Sequence, residues 1–215
     1  VILFTMPRAV VLANGVPPAP DALRRALEGA TLFVCADGGA DAARGLGLRP
    51  DAIVGDLDSV RAETLAHFRD VPVVRVPEQD RTDSEKAVEY VLGRGAFDEV
   101  TLFGATAGRL DHVVGHLGLL RRFAGRTRLV LEDERTRAFL ARGEARLDLP
   151  AGATVSFFAL SGPAEGVTTE NLRYPLKDAT LALGELDSVS NVVERTPAWI
   201  RVRKGDLVVF AVSRP

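Results

Sequence analysis

Leu32-Phe33-Val34-Cys35-Ala36-Asp37-Gly38-Gly39-Ala40 and Ala52-Ile53-Val54-Gly55-Asp56-Leu57-Asp58-Ser59 follow one plan, a short apolar run that stops at glycine and aspartate. A run with no polar alternation suits a strand buried on both faces, and such strands belong to parallel sheets covered by helices. The plan recurs outward from there. Ala9–Ala13, Leu32–Ala36, Ala52–Val54, Val71–Val76, Val100–Phe103 and Thr127–Leu131 read as strands. Pro20–Leu27, Ala40–Gly45, Arg61–Phe68, Thr82–Leu92 and Leu110–Phe123 read as helices between them. This alternation predicts an N-terminal open, mostly parallel α/β/α domain over residues 6–135.

The helical pattern ends after Glu134. Gly- and Pro-punctuated runs at Ala153–Leu160, Ala179–Leu183, Ile200–Val202 and Leu207–Val212 predict a C-terminal all-β sandwich over 136–215. The break is expected near 133–144, where Glu132-Asp133-Glu134-Arg135-Thr136-Arg137 and Ala141-Arg142-Gly143-Glu144 interrupt the apolar pattern.

Bulk properties exclude several classes. The 215 residues carry 27 Lys and Arg against 29 Asp and Glu, with no basic block, so no nucleic-acid surface is expected. Cys35 is the only cysteine, which rules out an intramolecular disulfide and a multi-cysteine zinc site and fits the reducing cytoplasm. No apolar run approaches the roughly 18 residues of a membrane helix. Val1-Ile2-Leu3-Phe4-Thr5, before Met6, lacks the basic region and cleavage site of a signal peptide and is left out of the fold reading.

In an open parallel sheet the ligand crevice lies beyond the carboxyl ends of the strands, so the loops there hold the chemistry. Asp37-Gly38-Gly39 offers close backbone approach and a helix start suited to phosphate. Asp56 and Asp58, two apart in an extended segment, point to one side and can share one hard cation. In Gln79-Asp80-Arg81-Thr82-Asp83-Ser84-Glu85-Lys86, Thr82 and Glu85 form a capping-box pattern, Asp83 can complete the metal site and Lys86 can face phosphate. Gly108-Arg109-Leu110-Asp111-His112 puts a guanidinium at a helix entry, where it can grip phosphate, with Asp111 or His112 to orient a substrate. His112 and His116, one turn apart among apolar residues, read as packing and capping, not as a zinc site. Carboxylates, glycines and cations on one sheet edge suit magnesium and a nucleotide polyphosphate, without a P-loop motif.

These segments, in this order and spacing, resemble the thiamine pyrophosphokinase family. Asn171-Leu172-Arg173-Tyr174-Pro175-Leu176 and Ser190-Asn191 extend the resemblance into the C-terminal half. The resemblance implies transfer of the β,γ-pyrophosphoryl group of ATP to the thiamine hydroxyl, giving thiamine diphosphate and AMP, by a homodimer with sites between subunits. It implies magnesium on Asp56, Asp58 and Asp83, and ATP on Asp37, Gly38, Gly39, Thr82, Lys86 and Arg109. Asp56, Asp58, Asp83 and Arg109 would be the catalytic set, and thiamine would lie near Gln79 and Asp111 of one subunit and Ser190 and Asn191 of the other. Asp80 and Asp111 stand as alternative general bases, and Arg81 has no assigned role. Two other readings fit the same loops: a pyrophosphokinase for another alcohol, such as a hydroxymethylpterin, and a regulator that binds nucleotide or thiamine without turnover.

Overall fold

The computed structural model describes residues 7–212, so the reading of Val1–Thr5 lies outside the described residues. The chain divides into two compact units, with the boundary between Glu134 and Arg135.

The first unit alternates strands and helices: β1 (Arg8–Leu12), α1 (Pro20–Glu28), β2 (Leu32–Ala36), α2 (Gly39–Gly45), β3 (Ala52–Gly55), α3 (Ala62–His67), β4 (Val73–Arg75), α4 (Asp83–Arg94), β5 (Glu99–Phe103), α5 (Leu110–Phe123) and β6 (Arg128–Glu132). The strands pair in parallel in the order β6-β5-β1-β2-β3-β4. The order reverses beside β1, because the chain runs out to β4 and returns through α4 to β5. Such a reversal opens a crevice at the carboxyl ends of the central strands. Val10, Leu12, Phe33, Cys35, Ile53 and Phe103 on one sheet face form a core with Ala22 and Leu23 of α1 and Ala40 and Ala43 of α2. The alternate side chains Val11, Val34 and Val54 are equally buried, and α4 packs on β1, β2 and β3 through Ala87, Val88 and Val91. Burial on both faces is why these strands read as unbroken apolar runs.

Gly39 sets how closely α2 meets β1. A Cβ there would lie 2.1 Å from the Leu12 carbonyl oxygen, a contact that only backbone movement can relieve. Gly39→Ala is therefore expected to cost about 1–3 kcal/mol, seen as a lower urea midpoint; an unchanged midpoint would contradict the packing role.

The second unit is antiparallel: β7 (Thr136–Leu147), β8 (Thr154–Phe158), β9 (Ala164–Glu170), β10 (Ala179–Leu181), β11 (Ser188–Val192) and β12 (Ala198–Val212). β12 pairs with β7 along its length, but its first part also pairs with β9 and its last part with β8. The register shifts between Val202 and Leu207, where Gly205 has φ +90°. That irregularity lets one strand serve both layers of a sandwich. The runs expected at Ile200–Val202 and Leu207–Val212 are thus parts of one strand.

The boundary at Glu134 and Arg135 falls within the expected stretch 133–144, but the rest of that stretch does not interrupt the structure, since Thr136–Leu147 is a strand. Its charges are strand partners: Glu144 pairs with Arg201 at 2.6 Å, and Arg142 reaches the buried Asp206 at 3.1 Å. Among the described residues no helix is long and apolar enough to cross a membrane.

Candidate active site

Loops after β1, β2, β3, β4 and β5 converge on an open cleft of about 1040 Å³ at the carboxyl edge of the first unit. Its lining includes Asn14, Asp37, Asp56, Asp58, Gln79, Arg81, Asp83, Ser84, Lys86, Arg109 and His116.

Asp56 and Asp58 meet by a route other than the expected extended segment. Leu57 has φ 69°, and Asp56 Oδ1 accepts a hydrogen bond from the Asp58 backbone N–H at 3.2 Å, closing an Asx turn. Asp37, at φ 44°, turns its carboxylate into the same region and accepts from the N–H groups of Ser59 (3.1 Å) and Val60 (3.2 Å). One oxygen from each of Asp37, Asp56 and Asp58 lies within 4.8 Å of the others, a hard-oxygen set that can hold a divalent cation. Burial pushes the Asp37 carboxyl above its ordinary value and the nearby Asp83 adds to this, against the Ser59 and Val60 hydrogen bonds. Asp56 is held below its ordinary value, first by the Gln79 amide, which donates to it at 2.7 Å.

Asp83 stands beside this cluster but is engaged elsewhere. Its Oδ1 accepts from Lys86 Nζ at 3.0 Å and from the Asp56 N–H at 3.3 Å. A Cβ on Gly55 would lie 2.9 Å from Asp37 Cβ and 3.2 Å from Asp83 Oδ1, so glycine there lets the two aspartates approach. The Lys86 side chain is only 2% exposed, and Asp83 is its compensating charge. Thr82 caps α4 by accepting from the Glu85 N–H at 3.3 Å, while the Glu85 carboxylate pairs with Arg122 of α5. Arg109 lines the cleft mouth in a bidentate pair with Asp111, at 3.2 and 2.5 Å. Arg109 holds the Asp111 carboxyl down to about 2, so the pair stays ionised near neutral pH. Arg81 faces the cleft 3.6 Å from Asp80.

Gly38 and Gly39 are not among the lining residues. A Cβ on Gly38 would strike the Asn14 side chain at 2.5 Å, so both glycines serve close packing beneath the cleft. The Asn14-Gly15 loop went unnoticed in the sequence, although it follows β1 as the other loops follow their strands. Gly15 packs against this edge too, for its Cβ would meet the Gly104 carbonyl oxygen at 2.0 Å.

Two family models match this chain, one described as thiamin pyrophosphokinase, catalytic domain, at residues 23–131, the other as thiamin pyrophosphokinase, vitamin B1 binding domain, at 144–207. The chain belongs to the thiamin pyrophosphokinase family. Thiamine pyrophosphokinase 1 of Oryza sativa subsp. japonica is 27% identical, the match covering 86% of this chain and 79% of the relative. The Bacillus subtilis thiamine pyrophosphokinase is 26% identical over 84% of this chain and 86% of its own. Its crystal structure superposes with TM-score 0.86 at 22% identity, covering 97% of this chain and 100% of that one. The thiamin pyrophosphokinase of Candida albicans gives 0.88 at 16% identity, covering 97% and 90%. At these identities the two structures establish the shared fold.

In the second unit the family segments at 171–176 and 190–191 meet. Asn191 is buried, and its amide accepts from the Tyr174 N–H at 3.0 Å and donates to the Tyr174 carbonyl at 2.7 Å. It is a clasp, leaving Tyr174 (62% exposed) and Ser190 at the surface. Asn191→Ala would leave both Tyr174 groups unpartnered and is expected to cost about 2 kcal/mol of stability. Urea unfolding checks this, and an unchanged midpoint would return Asn191 to a purely ligand-facing role.

Proposed function

We propose that the chain is an ATP-dependent thiamine pyrophosphokinase that transfers the β,γ-pyrophosphoryl group of ATP to the thiamine hydroxyl, releasing AMP. The observation that carries this reading is the Asp37–Asp56–Asp58 cluster in a cleft also lined by Lys86, Arg81 and Arg109. Magnesium would be held by these carboxylates, with Asp83 alongside, and would neutralise charge on the transferring phosphates. Lys86 supplies a fixed cation at the first turn of α4, and Arg109 can exchange the two Asp111 oxygens for two phosphate oxygens in the same bidentate geometry. Asp37 takes part as a cation ligand, since a carboxylate repels polyphosphate without a metal between them. Catalysis then rests on alignment for in-line attack at the β-phosphorus and on cationic stabilisation of the charge that develops.

In this reading the first unit, which ends at Glu134, is the ATP and magnesium domain, and the second, from Arg135 on, serves thiamine binding and dimerisation. The exposed Tyr174, Leu183, Leu186 and Val189 of the second unit support a homodimer in which a second copy covers apolar surface. Thiamine would lie near Gln79 and Asp111 of one subunit and Ser190 of the other, in a cytoplasmic enzyme. Acceptor competition tests the assignment. With ATP and magnesium fixed, thiamine should drive ATP consumption and a hydroxymethylpterin should not; consumption with the pterin alone would move the chain to another alcohol.

A further inference from the structure

His116 is buried, 7% exposed, yet its ring reaches the cleft wall, and none of the roles above uses it. Nδ1 lies 3.0 Å from the Ala105 carbonyl oxygen and Nε2 lies 3.0 Å from Ser84 Oγ. A carbonyl only accepts, so Nδ1 carries the hydrogen, and Nε2 is left to accept the Ser84 hydroxyl. Burial keeps the imidazole pKa below its ordinary value, in keeping with this neutral tautomer. Ala105 begins the segment that leads to Arg109, and Ser84 lies in the first turn of α4, between Asp83 and Lys86. Further along that segment the support is thin: a Cβ on Gly108 would meet nothing within 4 Å, and the Arg109 side chain is 73% exposed.

We propose that His116 is a positioning residue, which fixes the loop bearing Arg109 and the α4 turn bearing Asp83 and Lys86 at one spacing across the cleft. The link also sets polarity. With its proton committed to Nε2, Ser84 Oγ offers the cleft lone pairs, so it receives a hydrogen bond from a substrate hydroxyl, an amine or a metal-bound water and does not donate to phosphate. This inference rests on the pyrophosphokinase reading, and AMP formation by the unaltered chain tests that reading separately.

The experiment compares kcat and KM for ATP, per folded molecule, in His116→Ala, Ser84→Ala, the double variant and His116→Gln. His116→Ala should raise KM for ATP and lower kcat, with kcat/KM down about tenfold to a hundredfold. The double variant should be no worse than His116→Ala, because both changes cut one link. His116→Gln, whose amide oxygen can accept from Ser84, should recover most of the loss. Losses that multiply in the double variant, or wild-type kinetics in folded His116→Ala, would overturn the proposal. If His116→Ala does not fold, Ser84→Ala decides it, since it cuts the same link: a fall in kcat/KM supports the proposal and wild-type kinetics overturns it.

Discussion

Asp56→Asn should lower turnover by about 10²–10³-fold while leaving the fold intact, the loss expected when one ligand of a charge-neutralising metal is removed. Two effects on stability offset each other. Neutralising Asp56 relieves repulsion among carboxylates whose oxygens lie within 4.8 Å, but weakens the hydrogen bond from Gln79. Thermal unfolding without divalent ions should therefore change little. Magnesium separates the two proteins: at ten times its Kd it should stabilise the unaltered chain by about 1.4 kcal/mol, a rise of roughly 3–6 °C. The variant should show a much smaller rise. Equal magnesium shifts, or unchanged turnover at limiting magnesium, would remove Asp56 from the metal site.

Lys86→Met should be harmful in two separable ways. The shape of the stem is kept, but Asp83 loses the ammonium 3.0 Å away and stands beside Asp37 and Asp56 with no compensating charge. Breaking a fully buried pair costs about 3–5 kcal/mol; Asp83 is 28% exposed, so about 2 kcal/mol is expected here. Turnover should also fall by about 10²-fold, as when one preorganised charge-stabilising donor is lost. Magnesium should restore more stability to this variant than to the unaltered chain, because the cation supplies the missing charge. A stability loss that magnesium leaves untouched would contradict charge compensation of Asp83 as its cause.

What the sequence revealed, and what it hid, follows from how each feature is encoded. The strands of the first unit are legible because burial on both faces removes polar residues: Leu32–Ala36 is read to the residue, and Glu99–Phe103 differs by one. The edge strand β4 is shorter than its apolar run, since Val71 is spent on the preceding turn, bonded to Phe68. β7 was illegible because one of its faces carries Arg142, Glu144 and Arg146, whose partners are supplied by distant segments or by the turn beyond the strand. β9 has few apolar residues to mark it, as Ala164, Gly166 and Thr169 are among the buried positions there.

The cleft shows the same division. Asp37, Asp56, Gln79, Lys86 and Arg109 could be found because each follows a strand end, and their convergence follows from parallel topology. The engagement of Asp83 with Lys86 and the clasp made by Asn191 depend on side-chain geometry that residue order does not encode. The His116–Ser84 contact joins residues 32 apart in sequence, and an apolar helical setting made the histidine look like packing.

The most direct test of the central claim is ³¹P NMR of the products formed from ATP, magnesium and thiamine. AMP and thiamine diphosphate in equal amounts, with no ADP, is the expected result. ADP together with thiamine monophosphate would show ordinary phosphoryl transfer and contradict attack at the β-phosphorus.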